Sequence, residues 1–392
     1  MSEMEAGRED KICTLNNKER FKNVDFLRFI FAIAILFYHF GSSPGSFGIL
    51  LKENSPIFQN IYTLFRLDFI CVDFFFIMAG FFLFKSIKVS QDTTYFIKNK
   101  IIRLVPVIWF SILICMICSI FINNFQFQIN NNIPLIFLVD QIGFNKCTSC
   151  TPQAWFVCAL FWVSLFYFYI HKIFDKKYFN LITWIITAIS ISFIINCNAP
   201  GFAGNFRNSL IVFNHGTMRG LAGIGLGYFI LMLYEQKFLQ KITNFGKIII
   251  SALETYLIIF IFYYLFFAGK IPGNCYFIYI INFSILLYLF LIKQGFISKI
   301  LDNNISTILG SWSYSIYIMH ILIRNIINCL ITIPHKEIAL EYPIFIFSTG
   351  ILLSIIVGSL TYYFFEKPVG NYLKKKFLNN TSSNKADIKL TT

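Results

Sequence analysis

Residues 24–40 read VDFLRFIFAIAILFYHF, an apolar run that carries Asp25, Arg28 and His39. A helix needs about 20 predominantly apolar residues to cross about 30 Å of hydrocarbon, and with Gly41 this stretch reaches that scale. Ionisable side chains at such depth are costly, so each one marks a place to look for function. Eleven residues separate Arg28 from His39. At about 100° and 1.5 Å per residue, His39 returns to within roughly 20° of the face of Arg28 and lies about 16 Å further across the membrane. The plainer alternative is an arginine snorkelling to headgroups and a histidine near the far surface.

The rest of the chain repeats the pattern. Of its 392 residues 57% are hydrophobic and 13% charged, with 49 Phe and 20 Tyr. Soluble domains sit near 45–50% apolar and about 25% charged, so too little polar surface exists to cover a globule of this size. Apolar stretches at 24–41, 67–84, 101–123, 153–170, 180–197, 212–234, 247–268, 274–292, 305–330 and 342–365 predict an all-α, polytopic transmembrane helix bundle of about ten spans. No internal repeat, coiled coil or second soluble domain is evident.

The charge of +14 falls on alternate loops. Lys18, Arg20 and Lys22 precede the first span. Lys85, Lys88, Lys98 and Lys100 follow the second, Lys172, Lys176 and Lys177 the fourth, Lys237, Lys241 and Lys247 the sixth, and Lys293 and Lys299 the eighth, with Lys374, Lys375 and Lys376 after the last. The intervening loops hold isolated cations such as Lys52, Lys146, Arg207, Lys270 and Lys336. By the positive-inside bias both termini face the cytoplasm, which agrees with an even number of spans and makes the lipid bilayer, not nucleic acid, the partner of this basic chain. Residues 1–22 form a polar tail without a cleavable signal pattern, 23–376 the membrane domain, and 377–392 a polar tail expected to be disordered.

Further polar residues interrupt the later spans. YFIKNKIIRLVP, residues 95–106, gathers Lys98, Lys100 and Arg103 before Pro106. Such a cluster suits a multiply phosphorylated ligand as well as it suits lipid headgroups. LGSWSYSIYIMH, residues 309–320, places Tyr317 and His320 three residues apart on one helical face. A histidine bonded to a neighbouring helix is the competing reading. Ala79 and Gly80 make a small-residue notch suited to helix packing or to ligand approach. Glu366 beside Lys367 has an interfacial ion pair as its plainer reading. Cys147 and Cys150 could form a local disulfide on an oxidising face, but without further Cys or His nearby they make a poor zinc site, and no metal is expected. The absence of Walker, HExxH, GxSxG and dinucleotide fingerprints leaves soluble-type ATPase, zinc protease and serine hydrolase chemistry unsupported.

The order of these segments resembles acyltransferase family 3, the integral membrane O-acyltransferases that modify sugars of bacterial surface polysaccharides, glycolipids and antibiotics. The likeness covers most of the chain. VDFLRFIFAIAILFYHF is similar to the family's first helix with its Arg and His, at Arg28 and His39. FFFIMAGFFLF resembles its Phe-rich Ser-Gly-Phe helix, with Ala79 in place of Ser, and KIIRLVP its Arg-x-x-Arg-x-x-Pro segment, with Lys100 in place of the first Arg. AWFVCALF resembles its Trp-containing fourth helix at Trp155, and SYSIYIMH and FFEKPV its closing segments.

The resemblance implies a membrane O-acetyltransferase of polysaccharide biosynthesis in the cytoplasmic (inner) membrane. It would use acyl-coenzyme A, most simply acetyl-coenzyme A, as donor, and a surface polysaccharide or lipid-linked sugar as acceptor. It implies His39 as catalytic base or acyl carrier, Asp25 orienting Arg28, and His320 as a further catalytic candidate. Lys98, Lys100 and Arg103 would hold the donor's phosphates, and Trp155, Tyr317 and Glu366 would contact substrate. The rival reading is a transporter or flippase of a glycan or anionic solute, which should show inverted repeats with paired broken helices. A polysaccharide polymerase would place its motifs in a large outer loop, and here the outer loops are short.

Overall fold

The computed structural model describes residues 20–41, 70–87, 92–140, 149–196, 214–237, 239, 242–267 and 276–378. Within them every regular element is helical. The helices are α1 (Lys22–Gly41), α2 (Cys71–Ile87), α3 (Thr93–Phe121), α4 (Ile129–Ile136), α5 (Trp155–Ile173), α6 (Lys176–Asn196) and α7 (His215–Glu235), followed by α8 (Asn244–Phe267), α9 (Tyr276–Ile292), α10 (Phe296–Ile300), α11 (Asn304–Ile327), α12 (Lys336–Glu341), α13 (Pro343–Thr361) and α14 (Lys367–Phe377). A 3₁₀ turn at Pro152–Ala154 precedes α5, and wide π turns at Asn328–Thr332 and Tyr362–Glu366 extend α11 and join α13 to α14.

Each expected span has a helix at its position. Eight helical stretches are long and apolar enough to cross a membrane. The other two, α2 and α9, have 17 residues each, the lower edge of spanning length. The chain is a multi-pass membrane helix bundle.

Two boundaries differ from expectation. α3 begins at Thr93 and not at 101, because Asp92 caps it by accepting from the amides of Thr94 and Tyr95 at 2.9 and 3.2 Å. Pro106 lies inside this helix without ending it, so Lys98, Lys100 and Arg103 ride on α3 itself. The last span does not stop at 365. It continues through the π turn into α14, whose Lys374, Lys375 and Lys376 sit at its C-terminal end, where positive charge suits the helix dipole.

Packing sorts the helices by depth. α7 is the most enclosed, with 78% of its spanning window buried, whereas α6 and α8 reach 28% and stand at the periphery. α7 earns its central place through glycine. A Cβ on Gly227 would strike the carbonyl of Ile77 and the amide of Phe81, and one on Gly80 would strike the backbone of Ile224. Small residues therefore let α2 and α7 approach backbone to backbone, the way membrane helices gain dispersion contact where lipid removes the hydrophobic drive. The notch at Gly80 is thus a packing feature. Phe31, Phe74 and Phe283 tie α1, α2 and α9 together with centroids 4.5 to 6.0 Å apart. Trp109, Phe121, Trp184, Ile259 and Leu352 are exposed, as lipid-facing side chains should be.

A second seam joins α1 to α11 and α11 to α13. Gly310 lies against the backbone and Cβ of Asp25, leaving no room for a side chain there. This seam carries most of the polar groups singled out in the sequence.

Candidate functional site

At one end of the seam, His39 on α1 meets His320 on α11, their ring centroids 4.9 Å apart. His320 is fully buried, and its Nδ1 lies 2.6 Å from the carbonyl of Tyr317. The Tyr317 hydroxyl donates to the carbonyl of Gln153 at 2.8 Å, and the Gln153 amide in turn donates to the carbonyl of Ile318. The turn before α5 is thereby fastened to α11. Arg324, one helical turn beyond His320, donates from Nη1 to the carbonyl of His39 at 3.4 Å and fixes the end of α1.

Beside this pair stands a buried ion pair. Arg219 on α7 donates from Nε and Nη2 to the two oxygens of Asp73 on α2, at 2.8 and 3.0 Å, with both side chains at 3% exposure or less. The fork-to-fork geometry is the strong form of this contact and repays part of the cost of burying the charges. The guanidinium lies 5.4 Å from the ring of half-buried Trp155, and its charge also acts on Tyr317 and His215. Phe156 closes the gap between α5 and Tyr317 at 5.7 Å. Tyr317, His320 and His39 thus form one string of rings across α11 and α1, and Trp155 joins it through Phe156 and Arg219.

The opposite end of the seam is cationic. Arg28 donates to Asp25 Oδ1 at 3.0 Å, and Arg20 donates to Asp25 Oδ2 at 2.7 Å. Arg103 is exposed on α3, and Arg28, Glu366, Tyr314 and Asp25 all act on it electrostatically, so it belongs to the same charged cluster. Glu366 accepts from the Ser315 hydroxyl at 2.6 Å and has Arg28, Arg103 and Lys374 as charged neighbours. Glu366 therefore belongs with the cations and not with Trp155 and Tyr317.

The expected cluster on α3 divides. Lys100 lies within the field of Arg103, but its amine donates to Ser164 at 3.2 Å and sits 5.5 Å from the ring of Phe96. Lys98, on another side of the helix, is half-buried and makes no ion pair with the described residues. Among the described residues no group of three or more His, Cys, Asp or Glu could hold a metal ion. Cys147 lies outside the described residues, and Cys150 is a free thiol 3.1 Å from Asn132 Oδ1.

Arg219, Asp73, Arg324 and Gln153 were not among the expected site residues. The signal for the two arginines is the one that marks Arg28: a cation well inside an apolar stretch.

Buried imidazoles and paired charges inside a lipid-facing helical shell define a polytopic membrane protein with internal chemistry. The sequence model described as an acyltransferase domain matches residues 21–363, and the chain belongs to that family, acyltransferase family 3. It is a membrane acyltransferase, which sets it among enzymes and not carriers. Comparison with curated proteins and with solved structures gives no significant match to either.

Proposed function

We propose that this acyltransferase transfers an acyl group, most simply acetyl, from acyl-coenzyme A to a hydroxyl of a surface polysaccharide or lipid-linked sugar. The observation that carries the reading is the two-ended α1–α11 seam. Along α1, His39 of the imidazole pair and Arg28 of the arginine cluster lie about 16 Å apart. Coenzyme A has its phosphates at one end and its thioester at the end of a long, thin arm, so one donor could engage both ends.

In this reading Arg103 and Arg28 hold the phosphates, with Lys100 and Lys98 adding positive potential at the same end. Asp25 fixes Arg28 in place. His39 acts as general base, since imidazole titrates nearest neutrality. It takes the proton of the acceptor hydroxyl as the oxygen attacks the thioester carbonyl. The carbon–sulfur bond then breaks, and the departing thiolate takes the proton from His39. Trp155 and Tyr317 supply the acceptor's wall, where an aromatic face suits a sugar ring. The Arg28 end faces the cytoplasm, the source of the donor, in a cytoplasmic (inner) membrane with both termini inside.

The test is purified protein with radiolabelled acetyl-coenzyme A. His39→Ala is expected to abolish donor turnover and transfer while leaving expression and insertion intact, and residual activity above a few per cent of wild type would overturn the assignment. Arg103→Ala is expected to raise the donor KM roughly 10- to 100-fold through loss of a charged hydrogen bond. An unchanged donor titration would remove Arg103 from the phosphate site.

A further inference from the structure

His320 is the most enclosed polar side chain of the imidazole pair, and its two nitrogens differ in situation. The Tyr317 carbonyl can only accept, so Nδ1, at 2.6 Å from it, carries the hydrogen. In a neutral ring that leaves a lone pair on Nε2. This nitrogen is buried and has no hydrogen-bond partner among the described residues. An orphaned buried acceptor is destabilising, which makes it a group awaiting a donor.

The neighbouring donor is His39, whose ring lies 4.9 Å away centre to centre at an interplanar angle of 46°. Rings at this separation are close enough for an N–H of one to reach a nitrogen of the other once the His39 ring turns about its χ2 bond. We infer that His320 is the positioning residue for His39: its Nε2 accepts a hydrogen bond from one nitrogen of the His39 ring, leaving the other with its lone pair toward the acceptor hydroxyl. The arrangement follows the logic of a base oriented by a third group, with a neutral imidazole in place of a carboxylate. His320 neither gains nor loses a proton. The hydroxyl proton goes to the outward nitrogen of His39 and from there to the thiolate, while the inward N–H stays shared with His320. Two further contacts hold the frame: Arg324 on the His39 carbonyl, and Tyr317 through Gln153.

This inference rests on the proposed role of His39, and two substitutions with opposite expectations separate it from a purely structural role. In His320→Asn the side-chain amide sits where Nδ1 was and keeps the bond to Tyr317, but nothing accepts at the Nε2 position. In His320→Gln the carbonyl oxygen reaches the Nε2 position and accepts, while the bond to Tyr317 is lost. The expected result is a kcat lowered roughly a hundredfold in the Asn variant with donor KM within about threefold of wild type, and partial rescue by Gln. Asn equal to or better than Gln would overturn the inference. A second readout is independent of any donor. In protein labelled with ¹⁵N-histidine, the unprotonated nitrogen of His320, assigned by its loss in His320→Asn, is expected to shift when His39 is replaced by Ala. An unchanged resonance would overturn the hydrogen bond. If wild-type protein is inactive with acetyl-coenzyme A, the proposed donor falls while the spectrum still decides the bond.

Discussion

Asp73 and Arg219 stand 146 positions apart in the chain and meet through two hydrogen bonds. Removing one partner of a buried pair strands the other charge, at about 3–5 kcal/mol. Asp73→Ala is therefore expected to lower the thermal midpoint in detergent more than most single substitutions do, and Asp73→Asn less, because an amide oxygen can still accept one of the two bonds. A loss under about 1 kcal/mol in Asp73→Ala would mean that the pair is dispensable. The residue scale is also where the sequence is least legible. The expense of ionisable groups in lipid points to His39, His320 and Arg28, and it points equally to Arg219 and Arg324. What it cannot supply is the partner, since Arg324 meets a carbonyl 285 positions away and Trp155 acquires a guanidinium from another helix. Glu366 illustrates the same limit: its neighbour in sequence is Lys367, but its partners in space are Ser315, Arg28 and Arg103.

Among elements, hydropathy locates the helices to within a few residues, because span length is fixed by the bilayer. It fails where polar side chains belong to a helix that outruns the hydrocarbon, as at the start of α3 and beyond α13. Caps and π turns are the deciding features there, and apolar periodicity does not report them. The α2–α7 contact makes a sharp prediction at this scale. Gly227→Val forces a side chain into the backbone of Ile77 and Phe81, neither of which can yield as a flexible side chain would. The variant is expected to be made but to lose the monodisperse peak of the wild type in fluorescence-detected size exclusion. Gly370→Val, at a position with open space around it, should leave that peak unchanged.

For the whole molecule the proposed chemistry requires a definite orientation. Lys336 on α12 and Lys375 on α14 are both exposed, and in the proposed orientation they lie on opposite faces of the membrane. With the ten native cysteines replaced, Lys336→Cys is expected to react with a membrane-impermeant maleimide in intact cells. Lys375→Cys should react only after the cells are opened. The reverse pattern would put the arginine end outside, beyond reach of a cytosolic thioester.

The wide turn at Tyr362–Glu366 sets the phase of everything after it. A π turn accommodates one residue more than an α-helical turn, so deleting a single residue here would restore ideal pitch. Wound at ideal pitch without that deletion, the same sequence would carry Glu366 about 100° round the axis, off Ser315 and away from Arg28 and Arg103. A straighter helix would then leave Asp25 to balance these arginines without Glu366, so the irregularity is what keeps a second carboxylate among them.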